Sequence, residues 1–289
     1  MANGTGRLVV VHTGGTIAMA PGAAGLMPRA GLLEGALARL APGLAVEVVA
    51  LDPLIDSADM TPGLWNAILD RVASAGGAPV IVTHGTDTLA FTGAALTQAL
   101  GAVGVPVVLT GAMAPLGTGG DAEGNLGLAL RAAQDGPNGV WLAFAGRVLP
   151  AGRLAKTDSH GADAFVSVAE APAPDGPARR FGSARVGIVT LSPGLPAEAV
   201  GAGAGGTAAA VLRIYGAGTV AGDPALIAAL AGAVAQRKRL RAVSQCLTGG
   251  LSPGAYAAGA AIWAAGVENG GDETAEAALV RLMLDLGAR

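Results

Sequence analysis

Short, continuously apolar runs alternate with segments of helical spacing along almost the whole chain, and this alternation constrains the fold more than any other feature. The runs cover residues 8–12, 45–51, 80–83, 105–110, 140–144, 186–191, 208–214 and 241–244. Each has strand length and little of the polar alternation of a half-solvated strand, so each reads as a parallel strand buried on both faces. Between them, residues 31–40, 63–75, 89–99, 125–135, 224–236, 255–265 and 274–286 carry apolar side chains at helical spacing. Strand–helix alternation builds an α/β fold with a mostly parallel sheet flanked by helices. The stretch Ala171-Pro172-Ala173-Pro174-Asp175-Gly176-Pro177 interrupts the pattern, and a new strand starts at Val186. We therefore expect a larger N-terminal domain over residues 1–180 and a smaller C-terminal α/β domain over 181–289.

Composition narrows the function classes. With 52% hydrophobic and 13% charged residues the chain can bury a substantial core, the reverse of a disordered profile. A net charge of −3 and 3% aromatic residues leave neither a basic surface nor stacking platforms, so nucleic acid is not an expected partner. The single cysteine, Cys246, excludes an internal disulfide framework. The first apolar run is too short for a signal-peptide core or a membrane span, and a soluble cytoplasmic protein is the expectation. Of the two lysines, Lys238 lies in the basic run Gln236-Arg237-Lys238-Arg239 and reads as part of a solvated helix face. Lys156 stands alone and calls for another explanation.

In open α/β sheets the working residues sit at the carboxyl ends of strands. The first strand ends in His12-Thr13-Gly14-Gly15-Thr16-Ile17, where two glycines permit a sharp turn and a hydroxyl follows. This fits neither a dinucleotide fingerprint nor a phosphate loop; Thr16 is either a cap or a functional hydroxyl, and His12 reads as a strand-end histidine. The third strand ends in Thr83-His84-Gly85-Thr86-Asp87-Thr88, leading into an apolar helix. One of Thr86, Asp87 and Thr88 is expected to cap that helix, but three side chains cannot fill one cap. A hydroxyl beside a carboxylate suits a different task, the Asp holding a substrate ammonium and the Thr orienting or activating a nucleophile. No Ser-His-Asp set is evident with only His12, His84 and His160, which leaves Lys156 as the candidate proton partner.

The segments His12–Ile17 and Thr83–Thr88 together resemble the two signature motifs of the bacterial-type L-asparaginase/glutaminase family. The likeness extends to Asp56-Ser57-Ala58-Asp59-Met60, to Thr110-Gly111-Ala112-Met113-Ala114-Pro115 with Asp121 and Asn125, to Lys156 with Asp163-Ala164-Phe165, and to residues 254–266. It implies an amidohydrolase that converts L-asparagine to aspartate and ammonia through a threonine acyl-enzyme, without metal or organic cofactor. By motif, Thr16 would be the nucleophile, and Thr86 with Lys156 the second centre. Asp87 would bind the substrate ammonium and Ser57 its α-carboxylate. Gly15, Ala58, Asp59 and Ala112 would complete the substrate pocket. The family also implies a homodimer or homotetramer with shared active sites, the partner contributing a segment around residues 244–256.

Three departures bear on the substrate. The loop after the first motif, residues 18–28, has no tyrosine; Ala58 stands where the family often has glutamine; and Gly216-Ala217-Gly218-Thr219 replaces a common Gly-x-Gly-Asn. The alternatives are a glutaminase or other small-amide hydrolase, and a weakly catalytic amino-acid-binding protein on the same fold. One methylene separates asparagine from glutamine and is worth only about 1–3 kcal/mol of discrimination.

Overall fold

The computed structural model describes residues 6–22, 25–168, 176–203 and 206–287. The chain divides into two compact units, Met1–Ala178 and Arg179–Arg289.

In the first unit the elements run β1 (Arg7–Gly14), β2 (Met19–Gly22), β3 (Gly25–Pro28), α1 (Leu32–Leu40), β4 (Ala45–Ile55), α2 (Pro62–Ser74), β5 (Val80–Thr83) and α3 (Leu89–Leu100). They continue as β6 (Pro106–Thr110), α4 (Ala122–Asp135), β7 (Gly139–Phe144), β8 (Arg147–Pro150), β9 (Leu154–Lys156) and β10 (Phe165–Ser167). Among the described residues six strands form one sheet in the order β4-β1-β5-β6-β7-β8, parallel except for β8. The chain leaves β1 to build β4 on one side and returns to build β5 on the other. The order therefore reverses at β1, and the crevice beyond the carboxyl ends of β1 and β5 is the natural place for a site.

The strands are apolar throughout because both faces are covered. Leu8, Val10, Ile81, Val108 and Ala143 pack with Leu33 and Leu37 of α1 and Leu126 and Leu130 of α4. On the other side α3, itself packed on α2, contacts β7 and β9. Gly93 of α3 makes the β9 contact possible. A Cβ there would lie 2.5 Å from the Ala151 carbonyl oxygen and 3.2 Å from Leu154, so only a bare Cα lets the segment carrying Lys156 lie against this helix. The β9–β10 pair is held from behind by Phe144 and Phe165, whose rings meet edge to face at 5.1 Å.

The second unit runs β11 (Val186–Thr190), α5 (Ala197–Gly203), β12 (Ala209–Ile214), α6 (Pro224–Ala235), β13 (Arg239–Ser244), α7 (Ala260–Ala264), β14 (Glu268–Asn269) and α8 (Ala275–Gly287). Its strands form a parallel sheet in sequence order, and α8 packs across β11, β12 and β13. Glu273, at the start of the last helical segment, is buried and accepts from Arg241 Nε at 2.7 Å and Arg281 Nε at 2.5 Å. Arg239 is gripped by Glu268 and Asp285.

Two local expectations change. The basic run 236–239 is not a helix face. Arg237 adopts a left-handed conformation (φ 63°) just past α6, and Arg239 already belongs to β13. The helix expected over 255–265 is reduced to a 3₁₀ turn at Ala257–Gly259 and the five residues of α7. Gly259 sits against the Gly218 carbonyl and Tyr256 is extended, so the helix cannot begin earlier. The β2–β3 hairpin, β8, β9, β10 and α5 lack the length or periodicity to announce themselves in the sequence.

Because a Cβ at position 93 has no clearance, Gly93→Val should lower stability by roughly 1–3 kcal/mol through overpacking. Urea unfolding with unchanged midpoint would show that β9 can shift away freely.

Candidate active site

The carboxyl ends of β1 and β5 are bound together before any chemistry is considered. His12 pairs with Thr83 in register, Thr13 Oγ1 donates to the Thr83 carbonyl at 2.8 Å, and His12 Nδ1 is hydrogen-bonded to Thr83 Oγ1 at 2.8 Å. Both loops then turn on glycine. Gly15 has φ 85°, a left-handed value, and a Cβ on it would stand 2.5 Å from the Gly85 backbone nitrogen. A Cβ on Gly85 would meet Ser57 Oγ, also at 2.5 Å. The Gly15 and Gly85 segments thus meet backbone to backbone, and Gly85 packs against the Ser57 side chain. Thr88 Oγ1 fastens them further, donating to the Ser57 carbonyl at 2.6 Å.

That bond corrects one expectation. Thr88 is the residue before α3, yet no side chain caps this helix; its hydroxyl serves the Ser57 loop instead. Asp56 turns the same loop by accepting from Ala58 N at 2.9 Å.

Thr16 opens a 3₁₀ turn, Thr16–Ala18, at the end of β1 and is half-buried. Its hydroxyl has no hydrogen-bond partner among the described residues. Thr86, also half-buried, accepts from Lys156 Nζ at 3.0 Å, and the same ammonium donates to Asp87 Oδ1 at 2.6 Å. The Lys156 side chain is 18% exposed and that of Asp87 68%. Lysine is therefore the enclosed partner of the trio, and the carboxylate opens outward with Oδ2 uncommitted. Ser57 and Ala112 are buried, whereas Ala58 and Asp59 are exposed.

The loop after β6 is held by side chains. Asp121 accepts from the backbone N–H of Met113 and Ala114 at 2.9 Å, and Asn125 donates to the Gly111 carbonyl at 3.0 Å while accepting from Ala145 N. Behind the β5 loop, His84 is fully buried. Burial pushes its imidazole down to about 4, so the ring is neutral at physiological pH. Burial likewise lowers His12, which is a structural histidine with its partner in Thr83.

Two family models cover the chain: the N-terminal asparaginase model matches residues 7–176, and the glutaminase/asparaginase C-terminal domain model matches residues 185–289. The chain belongs to the asparaginase family. It is 33% identical to L-asparaginase 1 of Escherichia coli K12, over 95% of this chain and 90% of that protein. The thermostable L-asparaginase of Thermococcus kodakarensis superposes with a TM-score of 0.86 at 31% identity, covering 98% of this chain and 93% of that one. L-asparaginase I of Vibrio cholerae superposes at 0.85 with 30% identity and the same coverage.

Within this asparaginase fold, the residues expected at the site from the sequence are Thr16, Thr86, Asp87, Lys156, Gly15, Ser57, Ala58, Asp59 and Ala112. The structure joins Lys156 to Thr86 and Asp87, and joins the Gly15, Ser57 and Gly85 segments by close contact. Thr88 is expected from the sequence only as a possible helix cap, and no pattern in the sequence points to Thr92 and Trp65 behind the loop or to Asp121 and Asn125 as anchors. A Thr or Trp within a helix carries no signal of the side chain it will meet from another element. No helix among the described residues is long and apolar enough to cross a membrane.

The state of His84 sets a pH response. Its folded value lies near 4 against 6.5 for a free histidine, so the unfolded chain binds the extra proton and stability falls as pH drops from about 6.5 toward 4. This group alone should remove about 2 kcal/mol between pH 7 and pH 5. Urea midpoints at the two pH values should differ less for His84→Asn than for wild type; equal differences would contradict a neutral buried ring.

Proposed function

We propose that the chain hydrolyses the side-chain amide of L-asparagine to aspartate and ammonia through an acyl-enzyme on Thr16, with Thr86 and Lys156 as the second centre. The observation that carries this reading is the Lys156 ammonium bonded at once to Thr86 Oγ1 and Asp87 Oδ1. A helix cap or a binding pocket needs no enclosed lysine on a threonine hydroxyl. Asparaginase relatives that align along nearly the whole chain support the amide as the bond broken.

In this scheme the open carboxylate of Asp87 receives the substrate α-ammonium, and the Ser57 segment receives the α-carboxylate. The ammonium then shares Asp87 with Lys156, which weakens the hold on the lysine proton. Thr16 Oγ attacks the amide carbon as its proton passes into the relay of Thr86 and Lys156, the oxyanion is met by backbone N–H groups at the strand ends, and the C–N bond breaks as the relay delivers one proton to the leaving nitrogen, which departs as ammonia. Water then attacks the ester by the reverse relay and frees Thr16. Gly15, Ala58, Asp59 and Ala112 line the pocket in this reading. Residues 18–28 hold no tyrosine to activate Thr16, and Ala58 offers no side-chain amide, so substrate grip is expected to be weaker than in a pocket that has both. A cytoplasmic enzyme working as a dimer or tetramer with shared sites completes the proposal.

Ammonia release from L-Asn, L-Gln and D-Asn by the purified protein tests the substrate; faster turnover of glutamine than asparagine would favour the glutaminase alternative. Thr16→Ala and Thr86→Ala should each lower kcat by on the order of 10³-fold, with the double variant little worse than the poorer single. Lys156→Met should abolish turnover with a melting temperature close to wild type. Near-normal turnover in any of the three removes that residue from the chemistry. Sedimentation of a fully active monomer would rule out shared sites.

A further inference from the structure

Behind the β5 loop a chain of hydrogen bonds runs through three buried side chains. Trp65 of α2 donates its indole N–H to Thr92 Oγ1 at 3.0 Å. Thr92, one turn into α3, lies 2.9 Å from His84 Nε2, and His84 Nδ1 lies 2.6 Å from the Gly85 carbonyl oxygen. His84 and Thr92 are fully buried, and Trp65 is 4% exposed.

Donor counting fixes the direction of every bond. A carbonyl can only accept, so Nδ1 carries the ring proton and donates to Gly85. Burial keeps the ring neutral, so Nε2 is bare and accepts from the Thr92 hydroxyl. That hydroxyl, its proton committed, has lone pairs for the indole N–H. The sequence Trp65→Thr92→His84→Gly85 is complete, with no reversed or missing proton.

Its end point is the peptide between Gly85 and Thr86. In a trans peptide the carbonyl and the following N–H point in opposite directions. With the Gly85 carbonyl drawn inward to His84, the Thr86 N–H is turned away from the core, and it donates to nothing among the described residues. Gly85 cannot resist a different peptide orientation through a side chain of its own, since a Cβ there would stand 2.5 Å from Ser57 Oγ. The restraint comes from His84.

We propose that the Trp65–Thr92–His84 chain positions the Gly85–Thr86 peptide, setting both the outward N–H and the hydroxyl that Lys156 holds, without touching substrate. The inference rests on the reading of Thr86 as a reacting centre. His84 is then a positioning residue, and Thr92 and Trp65 fix its tautomer in the way an orienting partner fixes a reactive imidazole. Misplacing a reacting group by about 1 Å can cost on the order of 10²-fold in rate, which sets the scale of the effect.

The test measures asparagine turnover, melting temperature and ¹⁵N NMR of the imidazole in Thr92→Val, Thr92→Ser, His84→Asn and His84→Leu, with Thr86→Ala alongside. Wild type should show the Nδ1–H tautomer at His84. Thr92→Val should mix the tautomers and lower kcat roughly tenfold with KM within about twofold, and Thr92→Ser should restore both. His84→Asn, whose amide can still reach the Gly85 carbonyl, should keep at least tenfold more kcat than His84→Leu; this pair decides the matter if Thr92→Val does not fold. Wild-type kcat in Thr92→Val, or equal kcat in His84→Asn and His84→Leu, with Thr86→Ala inactive, overturns the inference alone. Retained turnover in Thr86→Ala overturns the reading of Thr86 and this inference with it.

Discussion

The structure depends on how closely three strand-end segments approach one another. Gly15 against the Gly85 nitrogen and Gly85 against Ser57 leave no room for a Cβ at either glycine. Close-packed interiors tolerate no relaxation of this kind without moving a neighbour. Thr16 and Thr86 follow directly after these two glycines, so each is placed by close packing at the preceding residue, and Thr86 also by the hold of His84 on the Gly85 carbonyl. A site built this way starts with its geometry largely fixed, which is what positioning of reacting groups demands.

Around that contact, each loop is tied by groups from a different element. Thr88 holds the Ser57 carbonyl, Asp121 and Asn125 hold the loop after β6, and His84 holds the Gly85 carbonyl. Lys156 arrives on a short strand whose approach depends on the missing Cβ of Gly93 and on the Phe144–Phe165 contact. The enclosed ammonium has its charge met by Asp87, which is required of a cation withdrawn from water. The polar groups behind the site are satisfied: among the described residues no buried side-chain nitrogen or oxygen is without a partner.

The fold was legible because its signals are local and repeated. The apolar runs at 8–12, 80–83 and 186–191 correspond to β1, β5 and β11, and long helices such as α3 and α8 declare themselves by spacing. Short elements did not, since three residues of β9 or the four of β2 carry too little periodicity to separate from a loop. The cap expected from Thr86, Asp87 or Thr88 failed for a related reason. Capping preference is a local tendency, and the Ser57 carbonyl, 31 residues away in sequence, offered Thr88 a competing acceptor.

For the site, the sequence by itself determined the chemistry available: two hydroxyls after glycine turns, a carboxylate beside one of them, and a lysine with no local reason to be where it is. These are properties of residue type and neighbourhood, and they survive without coordinates. Only the tertiary structure decided which groups meet. That Lys156 reaches Thr86 across 70 residues, and that Trp65 and Thr92 orient His84 from two helices, follows from packing of α2, α3 and β9 around the sheet. Such contacts join positions distant in the chain through steric fit, and no periodicity or motif along the sequence encodes a distance between them.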